Sequence, residues 1–107
     1  MMHTNQEVLT KFIQGICKFI SEGTSYTYAV VILKKFNDDN KKYFPFVKHI
    51  QFYTGRFHVD VEVNKVESDL VKSYVKKMFD SLFSELFKRF VKREMGEAMF
   101  RDWGYEP

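Results

Sequence analysis

The sequence predicts one α+β domain with an N-terminal helix, a three-stranded antiparallel sheet and a long C-terminal helix. Three observations predict it: an apolar stripe of helical spacing near the N-terminus, extended runs on both sides of Thr54-Gly55, and a C-terminal stretch without Pro or Gly until Gly96. The 107 residues are close to the commonest domain size, so we expect a single core for residues 1–107.

The N-terminal helix is predicted over about residues 5–22. Thr4 and Glu7 have the spacing of a capping box, in which each side chain accepts a hydrogen bond from the other residue's amide. Apolar residues then follow at helical spacing: Val8, Leu9, Phe12, Ile13, Ile16, Cys17, Phe19 and Ile20. Gly23 can end this helix in a left-handed conformation.

Residues 26–36 are interpreted as the first strand because they are rich in β-branched and aromatic side chains. Both faces of this run are apolar, so both are expected to be covered. The polar residues 37–42 that follow are predicted to form a loop. Pro45 bars a helix and suits the start of the next strand.

The hairpin over residues 46–63 is the best specified part of the chain. Gly55 can supply the positive φ of a two-residue turn with Thr54. If Tyr53 pairs with Arg56, one face carries only apolar pairs: Phe52 with Phe57, Ile50 with Val59, and Phe46 with Val63. A slip of one residue would mix apolar with polar positions, so the pattern predicts this register.

The long C-terminal helix is expected to begin at Asn64 or Ser68, since Asn64 with Glu67 offers a second capping box. Its apolar residues come as adjacent pairs every four residues, from Leu70-Val71 to Phe90-Val91. Four residues turn about 400°, so the stripe rotates by roughly 200° over five steps. One sheet cannot cover both ends of such a stripe.

This rotation predicts a subunit interface on the second half of the helix. The residues expected there are Phe83, Phe87, Phe90 and Val91. Their partner would be part of the N-terminal helix or the strand over residues 28–32, in a symmetric contact between two copies. The alternative is that the first helix and the tail cover them within one chain.

Cations on the same helix support a second hypothesis, nucleic-acid binding. Lys88, Arg89, Lys92 and Arg93 are the candidate phosphate contacts. The net charge of only +3 argues weakly against it. A third hypothesis is a small-ligand sensor whose aromatic pocket uses side chains such as Phe100 and Trp103.

One constellation on the polar face of the hairpin has weak metal-binding character. His49 lies opposite Asp60 and diagonal to His58, a set that could hold zinc with one position open. The same residues are also what a solvated strand face shows. We therefore predict no metal, no cofactor and no catalytic group.

The remaining observations favour a non-enzymatic interaction or regulatory module in the cytoplasm. Cys17 is the only cysteine, so it is expected to be a small buried side chain in a reducing compartment. No apolar run approaches the ~20 residues of a membrane-spanning helix. We expect a homodimer or another protein partner, because eighteen Phe and Tyr side chains exceed what one small sheet can cover.

Overall fold

The computed structural model describes residues 3–23, 25–82, 93–96 and 99. Helices and 3-10 turns surround one β-hairpin in this part of the chain. The elements are, in order, α1 (Asn5–Gly23), α2 (Tyr26–Asn40), the 3-10 helix η1 (Pro45–His49), β1 (Ile50–Tyr53), β2 (Arg56–Val59), the 3-10 helix η2 (Val61–Lys65) and α3 (Ser68–Leu82). The predicted α+β class is confirmed, whereas the described residues contain a two-stranded sheet and not three strands.

The hairpin has the predicted register. Ile50 pairs with Val59, Phe52 with Phe57, and Tyr53 with Arg56 in an antiparallel ladder. The two outermost predicted pairs are not strand pairs, because Phe46 lies in η1 and Val63 in η2. Both of these side chains are nevertheless buried in the core, as the apolar pattern requires.

Gly55 takes the positive φ, +74°, that the turn prediction demands. We expect Gly55→Val to lower the free energy of unfolding by about 1 kcal/mol or more, because a β-branched residue resists this conformation. An added Cβ would meet no atom within 4 Å, so the cost is backbone strain and not a clash. Urea unfolding measures it. Gly55→Asn is the control and should cost less, since Asn tolerates positive φ; equal costs for Val and Asn would contradict the argument.

The predicted capping box and apolar stripe of α1 are confirmed. The Glu7 amide donates to Thr4 Oγ1 at 3.1 Å, and the Thr4 amide donates to Glu7 Oε1 at 3.4 Å. Cys17 is fully buried, and this burial raises the pKa of its thiol. Its hydrogen bond with the Tyr26 hydroxyl joins α1 to α2. Burial of the Tyr26 hydroxyl, together with the nearby Cys17 thiol, raises the pKa of Tyr26 to about 12.

The predicted first strand and the polar loop after it are wrong: residues 26–40 form α2. Ser25 caps this helix, with its side chain accepting from the Tyr28 amide at 3.1 Å. The buried residues recur at helical and not alternating intervals, and they are Ala29, Val30, Leu33, Phe36, Asn37 and Asn40. Burial of this stripe outweighs the β propensity of the run. At the C-terminus of the helix, the Asn40 side-chain amide donates to the Phe36 carbonyl at 2.8 Å.

Helix α3 begins at Ser68, and the described helix ends at Leu82. Its buried stripe consists of Val71, Tyr74, Val75 and Met78. The Tyr74 ring meets the rings of Phe36 in α2 and Phe46 in η1, whereas Val61, which follows the hairpin, is 58% exposed. Residues 93–95 are helical, and Met95 and Met99 belong to the same core, a contribution that sequence reasoning missed.

The N-terminus of α1 is tied to the segment that follows the hairpin. Asn5 Nδ2 donates to the carbonyls of Val63, at 2.9 Å, and Val66, at 2.7 Å. Asn64 Oδ1 accepts from the Gln6 amide at 2.8 Å, so this side chain serves α1 and not the start of α3. The proposed capping box of Asn64 with Glu67 is therefore wrong.

Candidate functional site

A groove runs between α2 and the hairpin and is the candidate site. It consists of two hollows, of about 480 and 730 Å³, that share Lys34 and Phe52. The α2 wall is formed by Thr27, Val30, Val31, Lys34, Asn37, Asp38 and Lys41. The opposite wall is formed by Pro45, Val47, Lys48, Ile50, Phe52, Tyr53, Thr54, Gly55 and Arg56. We call it the α2–hairpin groove.

Ile50 and Phe52 of the groove wall also form the outer edge of β1. The Asp60 amide donates to the His49 carbonyl at 2.9 Å, which makes pairs with odd-numbered β1 residues the hydrogen-bonded ones. The backbone groups of Ile50 and Phe52 therefore point away from β2. The Ile50 amide is satisfied by the Val47 carbonyl of η1. The Ile50 carbonyl and the amide and carbonyl of Phe52 have no hydrogen-bond partner among the described residues.

The outer edge of β2 differs, because α1 covers it. Gln6 Nε2 donates to the Val59 carbonyl at 3.0 Å. In the segment that follows β2, Val63 and Asn64 are also hydrogen-bonded to α1, through Asn5 Nδ2 and the Gln6 amide. An extended segment could thus add to the sheet at β1 and is blocked at Val59 of β2. This asymmetry places the open strand edge beside the α2–hairpin groove.

Positive charge is concentrated in this groove. Lys34, Lys41, Lys48 and Arg56 line it against one carboxylate, Asp38, a local excess of three. The whole chain also carries +3, so the rest of it is balanced. The three lysines are exposed, and no carboxylate among the described residues lies within ion-pair distance of them.

Asn37 supplies a buried polar group at the same site. Its Oδ1 accepts a 2.6 Å hydrogen bond from the Tyr74 hydroxyl, whose pKa is raised by burial. Its Nδ2 is buried and has no hydrogen-bond partner in the described part of the chain. An unmet buried donor is destabilising by about 1–3 kcal/mol, so it is uncommon without a compensating role.

The weak metal candidates lie in different elements, although the Asp60 amide donates to the His49 carbonyl at 2.9 Å, as the predicted register requires. His49 is half-buried in η1, His58 is exposed on β2, and Asp60 Oδ1 caps η2 by accepting from the Glu62 amide at 2.9 Å. No group of three or more His, Cys, Asp or Glu residues in the described ranges could hold a metal ion.

Most other predicted site residues lie outside the described residues. This holds for the interface set of Phe83, Phe87, Phe90 and Val91, for Lys88, Arg89 and Lys92 of the basic set, and for Phe100 and Trp103. Arg93 is described and exposed. The seven Phe residues up to Phe57 lie in or against the core, whereas the exposed aromatics described are tyrosines: Tyr28, Tyr43 and Tyr53.

Sequence reasoning missed the α2–hairpin groove because it assigned the α2 wall to a strand. A signal was present: Thr27, Val31, Lys34, Asp38 and Lys41 recur every three or four residues, which is a helical face. Ser25 three residues before Tyr28 was the matching start signal.

The chain was compared with family models, curated proteins and solved structures, and it matches none of them. None of the helices in the described ranges combines the length and the apolar character needed to cross a membrane. The fold alone assigns no function, so a functional proposal has to rest on the residues of the site.

Proposed function

We propose that this chain is a non-enzymatic interaction module that binds a segment of a protein partner in the α2–hairpin groove. The observation that carries the proposal is the outer edge of β1, where the Ile50 carbonyl and the amide and carbonyl of Phe52 have no partner among the described residues. Proteins usually blunt or cover such edges, because a free row of amides and carbonyls pairs with other chains. Where an edge stays open beside a groove, an extended peptide can add as a further strand.

Exposed apolar side chains along the groove give further support. Val31 is 57% exposed and Tyr53 is 45% exposed, and they belong to opposite walls. Apolar surface with a polar rim is typical of protein contact sites, and tyrosine is enriched there. Bound main chain at β1 would place alternate side chains of the partner against these walls.

Dimerisation through the second half of the stripe and nucleic-acid binding by the basic set stay predictions. Among the described cations of α3, Lys77 lies 4.3 Å from the centre of the Tyr43 ring and packs there. A reducing, cytoplasmic setting fits the buried thiol of Cys17.

A matched pair of valines tests the proposed function. Val31 lines the groove and Val61 lies in η2 away from it, with exposures of 57% and 58%. Peptides selected from a display library of random decapeptides on the immobilised protein would be titrated against Val31→Glu and Val61→Glu. We expect Val31→Glu to weaken binding roughly tenfold, because it puts a charge on an apolar contact, and Val61→Glu to leave binding unchanged.

Circular dichroism and thermal melts of both variants check that the fold is kept. The proposed function is wrong if no peptide is enriched over a blank surface. It is equally wrong if the enriched peptides bind the two variants alike, because the contact would then lie elsewhere on the chain.

A further inference from the structure

We propose that the α2–hairpin groove selects extended acidic segments, which add to the edge of β1 and place carboxylates among Lys34, Lys41 and Lys48. This inference rests on the proposed function and specifies the chemistry of the partner. It names one occupant, a segment of another protein, and it excludes a second copy of this chain.

The preference for an acidic segment follows from the ion pairing of the lysines. On the outer surface of the chain, Lys35 pairs with Asp39 at 3.4 Å and Lys65 pairs with Glu62 at 3.0 Å. The groove lysines have no such carboxylate among the described residues, although Asp38 lines the same hollow as all three. Three cations around one groove create a positive potential that attracts carboxylates and repels cations.

The same potential argues against two copies meeting edge to edge at β1. A symmetric contact puts residue i of one copy near residue j of the other and j near i, so antiparallel pairing of the two β1 edges would bring Lys48 of one copy towards Arg56 of the other. Like charges across an interface oppose association unless anions lie between them. An acidic segment has the opposite sign and removes this repulsion.

Asn37 adds a hydrogen-bond donor to the basic end of the groove. Lys34, Asn37 and Lys41 follow one another on one face of α2, at intervals of three and four residues. Tyr74 occupies Oδ1, and the amide nitrogen of Asn37 is buried without a partner among the described residues, so a ligand reaches it only if the neighbouring side chains shift. A carboxylate or carbonyl oxygen inserted beside it would satisfy the buried donor.

The groove dimensions set the length of the segment. From Thr27 to Lys41 the α2 wall rises about 21 Å, at 1.5 Å per residue. An extended chain covers this distance with about six residues, of which every second side chain faces the same way. Acidic residues two apart, with apolar residues between them, match a basic rim above apolar walls.

The test uses a fluorescein-labelled octapeptide of alternating Glu and Val and measures its binding by fluorescence anisotropy. The companion probes are an alternating Lys and Val octapeptide and a single-stranded oligonucleotide of similar length. We expect binding of the Glu-Val probe that weakens as salt rises, no binding of the Lys-Val probe, and no displacement by the oligonucleotide. Displacement by the oligonucleotide would show a site for polyanions in general and overturn the proposal.

Two triple variants with equal loss of charge locate the site. Lys34→Gln with Lys41→Gln and Lys48→Gln should weaken Glu-Val binding roughly tenfold or more, since three exposed ion pairs with the probe are lost together. Lys11→Gln with Lys35→Gln and Lys42→Gln, at exposed lysines outside the groove lining, should change it less than about twofold.

Equal effects of the two triple variants, or no binding of the Glu-Val probe, would overturn the acidic specificity. The proposed function fails separately, because it is judged by library peptides of any sequence and by Val31. If the library yields uncharged peptides that depend on Val31, the groove binds protein segments without the acidic preference.

Discussion

Tyr74→Ala is expected to lower the free energy of unfolding by about 3–5 kcal/mol, the largest loss we expect for any single substitution considered. Tyr74 is fully buried, and its ring makes edge contacts with Phe36, Phe44 and Phe46 at centroid distances of 5.8, 5.5 and 5.3 Å. Removal of the ring leaves a cavity where α2, η1 and α3 meet. Chemical denaturation measured by circular dichroism gives the value.

Tyr74→Phe separates the hydrogen bond from the packing. It keeps the ring contacts but leaves Asn37 Oδ1 without the 2.6 Å bond, so we expect a loss of about 1–2 kcal/mol. If Tyr74→Phe cost as much as Tyr74→Ala, the ring cluster would not be what stabilises this part of the core. A loss below about 1 kcal/mol for the Ala variant would place Tyr74 outside the core altogether.

Asn5→Ala is expected to be the second most damaging change, with a loss of about 2–3 kcal/mol. The side chain is 6% exposed and donates to two backbone carbonyls, those of Val63 and Val66. Alanine removes the donor from both carbonyls, of which Val63 keeps the 3.1 Å bond from the Val66 amide and Val66 loses the 2.7 Å bond from Asn5. Urea unfolding of the variant checks the magnitude.

Gln6→Ala is the control for this effect. Gln6 Nε2 makes one bond, to the Val59 carbonyl, and the residue is only half-buried, so its replacement should cost about 1 kcal/mol or less. If the two variants lose similar amounts of unfolding free energy, the two hydrogen bonds of the Asn5 side chain are not a main link between α1 and η2.

The hairpin could be predicted because its information is local. The pairing of Ile50 with Val59 follows from alternation and from one glycine in the turn, and both are visible in the printed residues. The capping box of Thr4 and Glu7 is local in the same way. Such signals do not depend on where the rest of the chain lies.

Helix α2 could not be predicted from propensity, because its run of Val and Ile favours strands. What decides its structure is burial of Leu33 and Phe36 against α1 and α3, a contact between distant parts of the chain. The α2–hairpin groove inherits this difficulty, since it exists only between α2 and β1. Asn37 illustrates it: in the sequence it begins a polar run, and in the fold it is buried.

The bonds between Asn5, Gln6 and the region around residues 59–66 also determine the order of events during synthesis. The partners of Asn5 lie 58 and 61 residues further along the chain. At a synthesis rate of about 5–20 residues per second, the N-terminal helix waits roughly 3–12 s for them. Meanwhile its apolar stripe, with Leu9 and Phe12, has no η2 to dock against. During this interval the N-terminal helix lacks the η2 part of its packing, and a chain with apolar surface uncovered in this way is prone to aggregation.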